Sequence, residues 1–365
     1  MKKNIFLINF NEKILVLFLI LFSLFFNQYY GNRGVFPIDS FSHFDSGFRV
    51  LNGEYPIRDY WVVSGPFIDY LQAVFFYIIG INWQSYVLHA SFVNAASSLI
   101  TYLVLRNFRL NIYFCFFYSI LFSILAYPSS GTPFPDHHSA FFSLIGVYFL
   151  ILAIKNKQIF YWIIFPFFFC FAFLSKQVPA AYIIVSVIFI VIFYSIINKK
   201  FNIMKYSLLV TILLILFLIF FFHLQGISIS IFLNQYVYYP LTIGSHRFDD
   251  LNLTFRGLIG HFKFIYLAII PLAYFNLKKI IFNKHFYNQN DFYYFLILLS
   301  LMISLIAHQL LTRNQTFIFF LIPILSAFSH ISIIKEKYNN NILIIILIGI
   351  CIFSSFKYHF RFNED

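Results

Sequence analysis

Long apolar runs alternate with short polar breaks from one end of this chain to the other. "ILVLFLILFSLFF" at 14–26 and "YSLLVTILLILFLIFFF" at 206–222 approach or reach the roughly 17–25 apolar residues that cross a bilayer as a helix. Runs of this kind predict helices near 14–29, 84–105, 111–127, 138–154, 159–174, 179–197, 206–222, 263–277, 292–310, 316–333 and 341–356. That is about eleven crossings and an all-α, polytopic transmembrane bundle. A further run, "PFIDYLQAVFFYIIG" at 66–80, is short and contains Asp69 and Gln72. It reads as an amphipathic helix lying in the membrane interface.

The positive residues orient the bundle. The short basic clusters are Lys2/Lys3/Lys13, Arg106/Arg109, Lys155/Lys157, Lys199/Lys200/Lys205, Lys278/Lys279/Lys284 and Lys335/Lys337. Each neighbouring pair leaves room for two crossings, so all six fall on one side, the cytoplasmic side by the positive-inside rule. The N-terminus is then inside and the C-terminus outside. The remaining polar residues collect on the other face, in 30–83, 128–137, Ser175–Gln177, 223–262 and 308–315. "MKKN" resembles the charged start of a secretory signal, but "FFNQYYGNRG" after the apolar run is bulky, so an uncleaved first helix is expected.

Composition agrees. The 365 residues are 61% hydrophobic and only 10% charged, against about 25% charged in a soluble domain. The net charge of +12 would point a soluble protein toward nucleic acid; here topology accounts for it, and no nucleic-acid partner is expected. Cys115, Cys170 and Cys351 lie inside apolar runs and read as small core residues. One integral membrane unit over 1–365 is expected, with 30–83 and 223–262 as its large outer loops and no soluble C-terminal domain.

The chemistry concentrates on the outer face. Asp39, Asp45, Glu54, Asp59 and Asp69 fall in the first outer loop of a chain with 13 acidic residues. A carboxylate partly desolvated beside the membrane can serve as a general base. The next loop places Asp136 before His137 and His138. Adjacent helical residues point to different faces, so a metal held by all three is disfavoured; Asp136 and one of the histidines lining a polar cavity, or Asp136 capping a helix near 138, is preferred. Lys176 in "FLSKQVPAAY" and Arg313 in "HQLLTRNQTFIF" stand at outer helix ends, with His246, Arg247 and Arg256 in the long loop. Each cation either snorkels or binds a lipid phosphate.

This arrangement resembles the GT-C superfamily of polytopic glycosyltransferases, which includes protein O-mannosyltransferases and aminoarabinose transferases (glycosyltransferase family 39-like). The resemblance rests on "FPIDSFSHFDSGFRVLNGEYPIRDYWVVSGPFIDYLQAVFFYIIG" at 36–80. On that pattern Asp39 takes the place of the catalytic carboxylate, Asp45 is its alternative, and Gly53, Tyr55, Pro56 and Asp59 form the loop's turn. Gly65–Pro66 opens the interfacial helix, Asp136 matches a second acidic position, and "LSKQ" resembles a Thr/Ser-Lys-Gly element with Gln177 in place of Gly. The resemblance implies a polyprenyl-phosphate sugar donor and a glycan, lipid or protein hydroxyl as acceptor, in contact with membrane lipids. It further implies inverting transfer on the outer face of the cytoplasmic membrane. Asp39 or Asp45 would be catalytic, and Asp59, Asp136, His137, Lys176, Arg247 and Arg313 substrate-binding. No metal ligand is assigned, and a divalent cation stays open. The alternatives are an O-antigen ligase or polymerase relying on 223–262, and a lipid or sugar flippase, which would carry mid-membrane charges.

Overall fold

The computed structural model describes residues 10–33, 39–62, 64–127, 131–249, 251, 253–283, 286–312, 318–336 and 341–363, with backbone alone at 39, 40, 362 and 363. Among them secondary structure is helical throughout, apart from one isolated bridge between Pro56 and Tyr60. This is the outcome expected in lipid, where each backbone N–H and C=O must be bonded within its own segment.

A helix lies over every predicted span: α1 (Phe10–Gly31), α4 (Trp83–Asn107), α5 (Ile112–Ala126), α6 (Pro135–Asn156), α7 (Ile159–Ser175), α8 (Gln177–Ile197), α9 (Phe201–Leu224), α12 (Lys263–Phe282), α13 (Asn290–Leu311), α14 (Leu321–Lys335) and α15 (Asn341–Asn363). Eight of these are long and apolar enough to cross a membrane unaided. The others, α5, α7 and α14, have 15, 17 and 15 residues, about 22–26 Å at 1.5 Å per residue. The first loop adds α2 (Asp39–Leu51) and α3 (Pro66–Ile79); the long loop adds α10 (Ile229–Leu233), α11 (Tyr239–Asp249) and π-helical turns at Asn234–Tyr238 and Arg256–Gly260.

The bundle is built around α6, buried along nearly its whole length. It packs most closely on α7, where Gly146 lets the Phe169 ring approach, and also on α8, α4 and α13. The last helices close the bundle, with α14 and α15 returning against α5. By contrast α9 buries only Ser207 and Phe222 and presents its apolar surface outward, as a lipid-facing helix does.

The charged clusters gather at one end. Arg106 bonds Glu12 at 2.6 Å, Lys155 bonds Asn107 and sits over Phe108, and Lys335 reaches Asp291 at 2.6 Å while also lying over Phe108. Lys279 pairs with Glu336, and Lys200 with the Tyr194 hydroxyl. The described members of the six clusters thus share one rim, as the loop spacing predicts. Acidic residues join them there, so the rim is a paired belt instead of a purely positive one.

The first loop docks at the opposite end. The interfacial helix α3 is amphipathic in an inverted sense: Asp69 and Gln72 are buried, while Val74, Tyr77 and Ile78 are exposed. Its polar face looks into the protein and its apolar face outward, the arrangement suited to a helix bathed in lipid on its free side. Gly65 caps the helix ahead of Pro66, and its N–H donates to the Ser175 carbonyl at 2.9 Å. A Cβ at Gly65 would lie 1.5 Å from the Leu174 carbonyl oxygen, so the loop can approach the end of α7 only without a side chain. Gly65→Ala is expected to lower stability by about 1–3 kcal/mol through this overlap. The check is a thermal-unfolding comparison in detergent, with faster proteolysis of 39–62 as the accompanying sign.

Candidate active site

Two sequence features place Lys176. Val178 precedes Pro179, which drives its backbone to extended dihedrals (φ −118°, ψ 129°), so α7 cannot run straight into α8. Lys176 therefore sits in a break, itself extended, with its side chain a quarter exposed. Its Nζ bonds Asp136 Oδ2 at 2.6 Å. The other Asp136 oxygen is 2.6 Å from Nε2 of His308, near the end of α13. Asp136 stands in the first turn of α6, buried to 3% exposure. It does not cap a helix at 138, because α6 begins at Pro135 with Phe134 as its cap residue. Its two oxygens are held by two partners instead, which a carboxylate removed from water requires.

The neighbouring histidines diverge as adjacent helical positions must. His137 packs against Tyr127, with ring centroids 4.6 Å apart. His138 turns the other way: its Nδ1 meets the Phe134 carbonyl at 3.0 Å and its Nε2 meets Nε2 of His89 at 3.0 Å. His89 Nδ1 then reaches Gln72 Oε1 on α3 at 2.8 Å. Among the described residues no group of three or more His, Cys, Asp or Glu side chains converges as a metal site.

In the first loop Asp39 is the first residue of α2, one turn before His43. Asp45 lies on the exposed side of that helix, paired with Arg49 at 2.9 Å. Asp59 builds the turn between the two loop helices: it accepts the Tyr55 N–H at 2.7 Å and pairs with Arg58, which stacks over Tyr55. These bonds hold its carboxyl below the usual range, the Arg58 bond most of all. Asp69, which sequence reasoning left as a polar mark in an apolar run, is buried, unlike Asp45, Glu54 and Asp59. It bonds His43 Nδ1 at 2.9 Å and receives the Tyr60 hydroxyl at 3.0 Å. Burial raises its carboxyl from the usual range, opposed by His43 and Tyr60.

The long loop covers part of this end. Gln177, standing where the resemblance leads one to expect Gly, donates to the Tyr236 carbonyl at 3.0 Å. Tyr236 is fully buried in the π-helical turn 234–238, its hydroxyl on the Phe173 carbonyl. Gln235 bonds the Ile57 carbonyl, and Arg58 the Gln225 carbonyl. Beyond Tyr239 the segment is exposed: α11 buries none of its residues. Arg247 on α11 is exposed, though its charge is felt at His308. Arg313 lies outside the described residues. So Asp136, Lys176 and the first loop come together, while Asp45 and Asp59 make local pairs. His43, Asp69, His89 and His308 are the residues that sequence reasoning missed. The available signal was Asp69 and Gln72 three apart in an apolar run, polar groups that need inward partners.

An all-helical membrane bundle whose acidic first loop docks beside a lysine-bearing helix break fits the GT-C class of membrane glycosyltransferases. Residues 63–223, from the end of the first loop through α9, match the family model described as dolichyl-phosphate-mannose-protein mannosyltransferase, and this match supports that superfamily. No curated protein matches the chain.

Removing one partner of a buried ion pair costs about 3–5 kcal/mol. Lys176→Met should destabilise the protein on that scale, and Lys176→Arg, which keeps the charge, far less. Denaturant unfolding in micelles of the two variants checks this; equal loss in both would mean that shape, not charge, holds the break.

Proposed function

We propose that this protein transfers a sugar from a polyprenyl-phosphate donor to a hydroxyl of a glycan, lipid or protein, on the extracytoplasmic face of the cytoplasmic membrane. The observation that carries the reading is the docking of Gly65 on Ser175. It fastens the acidic loop directly beside Lys176, so carboxylates and a partly accessible cation share one end of a membrane bundle. The match of 63–223 to a mannosyltransferase family supports the same class.

In this reading the lipid phosphate rests on Lys176. An ammonium carries three N–H donors, and Asp136 takes one of them. Asp136 and His308 fix the lysine and Arg247 and Arg313 add cationic charge, while Asp59 and His137 shape the loop and the top of α6. Asp39, at the first turn of α2, draws the proton from the acceptor hydroxyl, with Asp45 as the alternative base. The acceptor oxygen bonds to the anomeric carbon as that carbon's bond to the phosphate oxygen breaks, which inverts the centre and releases polyprenyl phosphate. The basic rim faces the cytoplasm, and the docked loop the other side.

Transfer from a panel of radiolabelled polyprenyl-phosphate sugars in membranes tests the chemistry. Asp39→Asn is expected to reduce transfer by about 100-fold or more, the usual scale for losing a general base, with Asp45→Asn near wild type. Full activity in both carboxamides would remove the base assignment. Orientation is tested separately: a cysteine at Trp61 should react with an impermeant maleimide in intact cells, and one at Lys278 only after permeabilisation.

A further inference from the structure

The first loop holds a second constellation that the proposed transfer does not use. His43 on α2 has its Nδ1 2.9 Å from Asp69 Oδ1, and its Nε2 3.3 Å from the Ser64 hydroxyl. Asp69 Oδ2 receives the Tyr60 hydroxyl, so both carboxylate oxygens are bonded. His43 and Asp69 are 3% and 2% exposed, whereas Ser64 is half-buried. The chain of hydrogen bonds therefore runs from a buried carboxylate outward and ends on one accessible hydroxyl.

Polarity along the chain follows from the partners. A carboxylate only accepts, so Nδ1 of His43 turns its proton toward Asp69, which leaves Nε2 to face the Ser64 hydroxyl. The Ser64 O–H donates to that nitrogen, leaving its oxygen lone pairs directed elsewhere. A carboxylate and an imidazole buried merely to hold a loop would be a costly choice, since apolar packing does the same with less desolvation. Groups set in this order are those that move a proton.

The location makes the case specific. Ser64 directly precedes Gly65, and Lys176 directly follows Ser175; the Gly65–Ser175 hydrogen bond of 2.9 Å lies between them. The backbone that carries Ser64 is thus fastened to the backbone that carries Lys176, the cation assigned to the donor's phosphate.

We propose that Ser64, backed by His43 and Asp69, contacts the acceptor and relays inward the proton that Asp39 draws from its hydroxyl. The inference rests on the glycosyltransferase reading and deepens it. As the acceptor oxygen bonds to the anomeric carbon, Asp39 draws its proton, which then passes to the Ser64 oxygen while the Ser64 proton passes to His43 Nε2. The imidazolium formed is balanced by the Asp69 carboxylate, and the proton returns through Ser64 to water after polyprenyl phosphate departs. Ordinary imidazole, near 6.5, holds a proton at neutral pH better than an ordinary Asp near 3.9. The loop carboxylate draws the proton first, and the imidazole stores it. Ser64 is the catalytic residue of the three; His43 and Asp69 are positioning residues.

The test uses full-length protein in membranes and the same donor panel. Ser64→Ala and His43→Gln should each lower kcat by about 100-fold with KM little changed, at wild-type protein levels and melting temperature. Ser64→Thr, which keeps a hydroxyl, should recover most of the rate. Wild-type rates in Ser64→Ala and His43→Gln would overturn the relay while leaving the transferase reading intact. So would Ser64→Thr failing as badly as Ser64→Ala. If the wild type transfers from no donor, the transferase reading falls. The relay is then judged by the 15N shifts of His43 in labelled protein. A protonated Nδ1 and a bare Nε2 that shifts in Ser64→Ala sustain it, and a protonated Nε2 refutes it.

Discussion

The Asp136 carboxylate, buried at the head of α6, holds this end of the bundle together. Its oxygens bind Lys176 from the α7–α8 break and His308 from α13, so one side chain fixes three separate parts of the chain. The constraint is severe because a carboxylate in such surroundings is tolerable only with both oxygens satisfied. Lys176 cannot leave without stranding it, which keeps the break between α7 and α8 in one conformation. The first loop uses that break as its seat.

The loop itself follows the same rule on a smaller scale. Asp59 closes a turn on the Tyr55 N–H, and Asp69 closes a buried pair with His43 and Tyr60. Gln177 and Gln225 then tie the late loop to the break and to Arg58 and Tyr70. Polar side chains on this face therefore bond each other in series, and the surrounding aromatics fill the space between. The face is rigid where the proposed donor would sit and open beyond Tyr239, where α11 buries none of its residues.

Several roles suggested by residue type changed once partners were visible. Asp136 and His138 are neighbours in sequence yet serve different networks, one toward α13 and one toward α4. Gln177, a departure from the motif it resembles, has its own use as a donor to Tyr236. His43 was not singled out and Asp69 read only as one acid among five, because a single Asp in an apolar run and a single His in a polar loop carry no pattern by themselves. Asp39 was legible as a candidate base, whereas the helix it opens, which sets it one turn ahead of His43, was not.

The sequence by itself determined the position of the apolar spans and the gathering of basic residues at one rim. Those properties are local: bilayer thickness turns an apolar run into a span, and charge bias along the chain turns spans into a topology. The tertiary structure decided which polar residues meet. The contacts 65 with 175, 43 with 69, 177 with 236 and 136 with 308 join positions from 26 to 172 residues apart. No periodicity records such distances. They are set by where helices end and how closely backbones can approach, as the bare Cα of Gly65 against Leu174 shows, and only the packed bundle fixes both.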